Sequence, residues 1–198
     1  MEQRAQPGMK ASGAIRSTPP LQLSFEQIED AMRRRNFGIL CSLSGDNRPH
    51  STGVLYAVSA PRRPFALYVT TNTGNKKARN IARNSNVSFT IPIPRSLLRF
   101  LWPHCIQFQG SASIISIDDE VACETFNRSI LLKRVLKRER EHFREKAIFI
   151  KIHPDPIIHT YGLGVSLIDL LKDIGKGSSS VRIPSSRLES QEVVSPAY

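Results

Sequence analysis

The sequence has little cysteine, little tryptophan and few acidic residues for its length. Its 198 residues include three cysteines, one tryptophan and 17 acidic side chains, against 28 lysines and arginines. The cysteines, Cys41, Cys105 and Cys123, are widely separated, odd in number and without CxxC spacing. This pattern argues against a disulfide framework and indicates a reducing cytoplasm.

Long apolar runs are also absent. No segment reaches the length of a bilayer span, and the first residues lack the apolar centre of a secretory signal. The sequence therefore predicts a cytoplasmic protein. Its formal charge of +11 is spread along the chain. Spread charge favours general surface charge and a phosphorylated cofactor over nucleic acid or an anionic membrane surface.

What the sequence does contain is one domain-sized globular segment. The length and an apolar content of 40% predict a single domain with a proper core. Residues 1–22 carry proline, glycine, serine and charge without periodicity, which predicts a flexible N-terminal arm. The folded domain is predicted at residues 23–174. Residues 175–198 are dominated by glycine, serine and proline and are predicted to form a disordered tail.

The most informative stretch runs from Phe65 to Phe89. It begins as a strand, breaks at a polar turn after Thr71, and continues as a short basic helix that starts near Lys76. Backbone N–H groups and the helix dipole at such a turn attract an anion, and lysine side chains add positive charge. The alternative is an ordinary strand-turn-helix connection with solvated lysines.

The other elements predict a barrel. A capping box at Ser24 opens a first helix, and short strands with hairpin spacing favour a closed barrel over a parallel sheet. A long strand follows from Cys105 to Ile117, and its interior Gly110 indicates a bulge or a close backbone approach. No internal repeat is evident.

One long, basic helix is predicted between Asp118 and about Arg140. Its second half places Ile130, Leu131 and Val135 on a face expected to pack on the core, with the charged face in solvent. A membrane-surface or nucleic-acid role for this helix is the less favoured alternative.

The central stretch resembles the phosphate-binding element of the pyridoxamine-phosphate-oxidase-like flavin proteins. The matching residues are Tyr68, Thr70-Thr71, Lys76-Lys77 and Asn80-Ile81. The resemblance extends from about Phe25 to Gly164. It implies an α+β, mainly β fold, namely a split β-barrel of the FMN-binding type with peripheral helices.

The resemblance also implies a cofactor site. The strand from Pro49 would lie along the flavin ring, the turn would hold the phosphate, and two glutamines of the long strand would complete the site. The implied cofactor-binding residues are His50, Ser51, Thr52, Gly53, Val54, Thr70, Thr71, Lys76, Lys77, Gln107 and Gln109. No catalytic residue is identified. The cofactor would lie between the two subunits of a homodimer, for which the segment Leu97–Trp102 offers apolar surface.

The family's basic residues on the ring strand have no counterpart between His50 and Tyr56, so vitamin B6 oxidation is not expected. The resemblance instead implies an oxidoreductase that uses FMN, or the deazaflavin F420, on a small organic substrate. The alternative is a non-catalytic split barrel that binds flavin or haem for storage or sensing, with His153 or His159 as haem ligands. The histidines lack the spacing of a known zinc or di-iron site, so no metal site is predicted.

Overall fold

The structure, a computed structural model, describes residues 23–94, 104–165, 170 and 173–188. The helices in this part of the chain are α1 (Phe25–Arg33), α2 (Lys76–Arg83), α3 (Glu120–Asn127) and α4 (Ile130–Phe143). None of these helices combines the length and the apolar character that crossing a bilayer requires. The strands are β1 (Phe37–Leu43), β2 (Pro49–Val58), β3 (Leu67–Asn72), β4 (Asn86–Ile93), β5 (His104–Ser116), β6 (Ala147–Pro154), β7 (Ile157–Tyr161) and β8 (Ser178–Arg182).

The strands form one antiparallel sheet that closes on itself. Their order is β4-β1-β2-β3-β6-β5-β7-β8, and a further pairing of β4 with β5 closes the first six into a barrel. Closure leaves β7 and β8 as an extension beyond β5. The predicted mainly β barrel with helices on its outside is confirmed.

The barrel is open between β2 and β3. Residues 49–55 of β2 pair with β1, and only Tyr56–Val58 pair with β3. On the other side of the opening, Thr70–Asn72 of β3 pair with β6 alone. The opening therefore lies between the two strand segments that carry most of the predicted cofactor residues.

Gly110 is the point where β5 changes its partner. Cys105–Gln107 pair with β7, whereas Gly110–Ser116 pair with β6 along the same edge of the strand. A Cβ atom at Gly110 would lie 2.1 Å from the carbonyl oxygen of His153. The predicted close backbone approach is thus confirmed, because only a residue without a side chain fits there.

Two apolar clusters hold the fold. The first fills the barrel, where Phe89 is fully buried, packs edge-on against Tyr56 at a centroid distance of 5.3 Å and stacks on Phe108 at 5.7 Å. The second lies on the outside of the barrel, where Phe126 of α3 and Leu136 of α4 pack on strand residues such as Phe149. The helices α3 and α4 therefore cover one outer face of the sheet.

The predicted long helix is wrong in two respects. The structure has two helices, separated at Arg128-Ser129, and the Ser129 hydroxyl accepts a hydrogen bond from the backbone N–H of Leu132 at 3.5 Å, as an N-cap does. The core face is also different. Leu132 and Leu136, one helical turn apart, are buried, whereas Ile130 is 77% exposed.

The predicted disorder from Gly175 onward is wrong for residues 175–188. Strand β8 pairs with β7 over five residues, and the following Ile183 is 1% exposed. Arg187 then forms a bidentate pair with the buried carboxylate of Glu29 in α1. Residues 175–188 have little apolar periodicity, and they are held in place by backbone pairing and by one buried ion pair. Residues 1–22, 95–103, 166–169, 171–172 and 189–198 lie outside the described residues, and so does the predicted Leu97–Trp102 surface.

Candidate functional site

The turn after β3 has the form expected of an anion site. The buried Thr71 hydroxyl accepts a hydrogen bond from the Asn75 side chain at 2.8 Å, and Asn72 accepts one from the Gly74 amide at 3.1 Å. Asn75 is the N-cap of α2, yet its side chain makes no capping bond to the helix. The first-turn amides of α2 therefore keep their hydrogens available for an anion.

The two lysines of the turn differ in their surroundings. Lys77 is half-buried, and burial lowers its pKa, while the Glu139 carboxylate of α4 acts in the opposite direction. Lys76 is exposed and faces the β1–β2 hairpin. The pKa of Asp46 in this hairpin is lowered mainly by a hydrogen bond from Ser44, and the positive charge of Lys76 adds a smaller effect in the same direction. Lys77 is thus the lysine whose charge is partly shielded from solvent, near Glu139 of α4.

Three buried polar atoms have no hydrogen-bond partner among the described residues: Thr70 Oγ1, His50 Nδ1 and Glu139 Oε2. Buried side-chain polar atoms in folded proteins nearly always have a partner. Two of the three belong to residues predicted to bind the cofactor. A phosphate beside β3 would accept a hydrogen bond from the Thr70 hydroxyl and a charge-assisted one from Lys77. The residues present therefore fit a phosphate group.

The predicted ring-binding strand presents a mixed surface. Ser51 and Gly53 are exposed, His50 and Thr52 are partly buried, and Val54 is 6% exposed in the barrel core. Only the backbone of Val54 is therefore available to a ligand outside the barrel.

The two predicted glutamines do not join this group within one chain. Gln107 and Gln109 are exposed on β5, which is separated from β2 by β4 and β1. Three inter-strand spacings correspond to about 14 Å. Both glutamines instead line a cavity of about 500 Å³ beside β7, together with residues that include Thr90 and His159.

A second cavity, of about 370 Å³, was not predicted. It lies between the end of α1, β2 and the α3–α4 corner, and Arg33, Arg34, Arg35 and Arg128 line it. Arg33 is already engaged by Glu29 and by backbone carbonyls, but Arg35 makes no ion pair with a described residue. The run of three arginines at the end of the first predicted helix is the sequence feature from which this cavity could have been predicted.

A barrel that is open between β2 and β3, with a hydroxyl and lysine turn beside the opening, defines a split β-barrel of the FMN-binding type. The family model described as pyridoxamine 5'-phosphate oxidase matches residues 24–155 of this sequence. The chain therefore belongs to the pyridoxamine 5'-phosphate oxidase family. No curated protein matches it.

Solved structures with the same fold are distant in sequence. Conserved hypothetical protein Rv2991 of Mycobacterium tuberculosis is 20% identical, with a TM-score of 0.51 over 69% of this chain and 84% of that one. HutZ, the heme storage protein of Vibrio cholerae, is 17% identical, with a TM-score of 0.56 over 72% and 98%. A heme binding protein of Mycobacterium smegmatis is 14% identical, with a TM-score of 0.57 over 77% of this chain and 54% of that one.

No group of three histidine, cysteine or acidic side chains able to hold a metal occurs among the described residues.

Proposed function

We propose that this protein binds a phosphorylated flavin, FMN or its deazaflavin counterpart F420, and acts as an oxidoreductase on a small organic substrate. The observation that carries the proposal is the group formed by Thr70, Lys77 and the uncapped start of α2 beside the barrel opening. A phosphate tail held there would direct the attached ring along the unpaired edge of β2.

Each part of this group has a defined role in the proposal. The Thr70 hydroxyl and the first-turn amides of α2 donate hydrogen bonds to the phosphate, and Lys77 compensates its charge. Thr71 positions the turn through its hydrogen bond with Asn75. The backbone of Ser51–Gly53 supplies donors and acceptors to the ring edge. The flavin itself, when bound, supplies hydride transfer.

Replacing both Lys76 and Lys77 with alanine should weaken cofactor binding by at least about tenfold, because one well-made charge-assisted contact contributes about 1.5–3 kcal/mol. Titration of the apoprotein with FMN and with F420, followed by fluorescence, measures this effect. Arg79→Ala, which removes an exposed charge further along α2, is the matched control. Unchanged affinity of the double variant for both cofactors would refute the site.

Haem binding is the second candidate. One observation favours it: His159 is exposed and lines the cavity of about 500 Å³ beside Gln107 and Gln109. His153 is a weaker candidate, because it is only partly exposed and already has an interaction partner. The absorption spectrum of the purified protein distinguishes flavin, deazaflavin and haem. Reduction by a nicotinamide cofactor followed by substrate turnover then separates an enzyme from a storage protein.

We also propose that the cofactor lies between the two subunits of a homodimer. The outer face of β1 exposes Phe37 by 48% and Ile39 by 37%. The neighbouring Gly53 leaves room for the Phe37 ring, which lies 3.0 Å from the position of a Cβ there. This apolar strip lies beside β2, along the edge opposite to the unpaired one. A second subunit placed on it would cover both the strip and a ring bound along the unpaired edge.

The double variant Phe37→Asp/Ile39→Asp is expected to be monomeric, because an interface would then have to bury carboxylates without partners. Light scattering at micromolar concentration measures the change from twice the chain mass to the chain mass. Ile114→Asp, at an isoleucine that is 39% exposed on β5, is the control and should remain dimeric. A wild-type protein that is monomeric with its cofactor bound would contradict the dimer.

A further inference from the structure

Helix α4 leaves aliphatic side chains uncovered at its beginning. Because Leu132 and Leu136 face the barrel, the helical period turns Ile130 to the opposite side. Ile130 is 77% exposed and the neighbouring Leu131 is 48% exposed. Two adjacent, exposed, branched aliphatic residues at a helix corner form a small apolar projection on an otherwise charged surface.

Basic side chains extend along the same outer face. Arg134, Lys137 and Arg138 follow Ile130 at helical spacing and are exposed, and Lys133 flanks them. Lys137 lies 3.7 Å from the Glu141 carboxylate, so its charge is partly compensated. Lys133, Arg134 and Arg138 make no ion pair with any described residue. Three positive charges without an acidic partner among the described residues therefore lie next to the apolar projection.

The positive charge continues around the corner onto the neighbouring elements. Arg128, at the end of α3, lines the arginine cavity with Arg34 and Arg35 from the end of α1. Arg34 and Arg128 each have one acidic partner in solvent-exposed pairs, which are weak. The projection formed by Ile130 and Leu131 is thus flanked by basic side chains on the α4 side and on the cavity side.

We propose that the outer face of α4, with Ile130 and Leu131 at its tip, docks on an anionic lipid bilayer. Aliphatic side chains at the tip enter the headgroup region, while the lysines and arginines behind them contact acidic headgroups. Docking is peripheral and reversible, because two aliphatic side chains bury little apolar area and the rest of the attraction is electrostatic. This surface lies outside the proposed cofactor site and goes beyond the proposed function.

Two other partners fit this surface less well. Nucleic acid would use the basic residues, but single strands are bound through stacked aromatic side chains, and the exposed tip is aliphatic. A second copy of the chain docked by two-fold symmetry on Ile130 would bring the basic residues of both copies together, which like-charge repulsion disfavours. A bilayer with acidic lipids matches both the apolar tip and the positive charge.

Co-sedimentation of the full chain with vesicles tests the proposal. Binding is expected with vesicles of phosphatidylcholine and phosphatidylserine, not with phosphatidylcholine alone, and it should fall steeply as salt is added. The triple variant Lys133→Gln/Arg134→Gln/Arg138→Gln should lose about fivefold in partitioning for each charge, or about a hundredfold in total. Ile130→Ser/Leu131→Ser should lose on the order of tenfold at constant charge.

Control variants remove charge and apolar surface elsewhere on the protein. The variant Arg48→Gln/Lys176→Gln/Arg182→Gln removes three exposed charges outside α4, and Ile174→Ser removes an isoleucine that is 60% exposed. Both should bind vesicles nearly as the wild type does. Equal losses in the control and test triple variants would overturn the proposal, because the attraction would then be unspecific. Tighter binding to duplex DNA than to the acidic vesicles, or dimer dissociation in Ile130→Ser/Leu131→Ser, would overturn it in favour of the other partners.

Discussion

Replacing Arg187 with alanine is expected to lower the free energy of unfolding by about 3–5 kcal/mol, the range for breaking a buried ion pair from one side. The Glu29 carboxylate is 6% exposed, and Arg187 donates to its two oxygens at 2.8 and 3.1 Å. The same guanidinium donates to the Arg63 carbonyl at 2.8 Å and lies 5.8 Å from the centroid of the Phe25 ring. The substitution removes all of these contacts at once.

Urea denaturation of the variant and the wild type measures the difference. Arg33 also contacts Glu29, so the carboxylate keeps one partner and the effect should fall nearer the lower end of the range. Arg187→Lys keeps the charge but not the bidentate geometry, and an intermediate loss is expected. Arg182→Ala, at an exposed residue of β8, should change stability by less than about 0.5 kcal/mol. A loss for Arg187→Ala no larger than for Arg182→Ala would show that residues 183–188 do not hold the fold.

Phe89→Ala is expected to destabilise the protein by about 3–5 kcal/mol, the usual cost of removing a fully buried phenylalanine ring. Phe89 is 0% exposed and contacts both Tyr56 and Phe108. Its ring also fills the space at Gly38, where a Cβ would lie 2.4 Å from the ring. The glycine opposite offers no side chain to move into the space, so the cavity should stay open.

Thermal and urea denaturation check this expectation. Phe143→Ala, at a phenylalanine that is 41% exposed at the end of α4, is the control and should cost much less. Phe89→Leu keeps part of the volume and should recover part of the loss. Equal destabilisation in the two alanine variants would mean that the barrel interior is not the main source of stability.

Local patterns in the sequence predicted the parts of the fold that depend on local interactions. The capping box at Ser24 is present, with the Ser24 backbone N–H donating to Gln27 at 2.9 Å. The strand, turn and helix around Thr71 also occur where predicted. In both cases the decisive hydrogen bonds join residues three or four positions apart, so a short window of sequence contains all the information.

The mispredicted segments depend on distant contacts. Residues 178–182 are polar, and they form a strand because β7 offers an open edge. The Glu29–Arg187 pair joins residues 158 positions apart, so no local sequence pattern could predict it. The sequence of α4 has apolar residues on more than one side of the helix. Packing against the barrel determines that the side with Leu132 and Leu136 is buried.

The predicted site residues combine neighbours in the sequence with residues on distant strands. The turn residues Thr70, Thr71 and Lys77 come together because they are close in the sequence. Gln107 and Gln109 were assigned to the same site by resemblance, and the order of strands places them elsewhere on the chain. The arginine cavity was missed because its parts, residues 33–36 and Arg128, meet only after α3 packs beside β2.

The contact of Arg187 with α1 has a consequence for the order in which the protein is made. Glu29 leaves the ribosome first, and Arg187 follows 158 residues later. Until then, Arg33 is the one arginine partner that the Glu29 carboxylate has among the described residues. The first helix can therefore reach its final stability only after Arg187 has been synthesised, and proteases should quickly remove chains that are truncated before this residue.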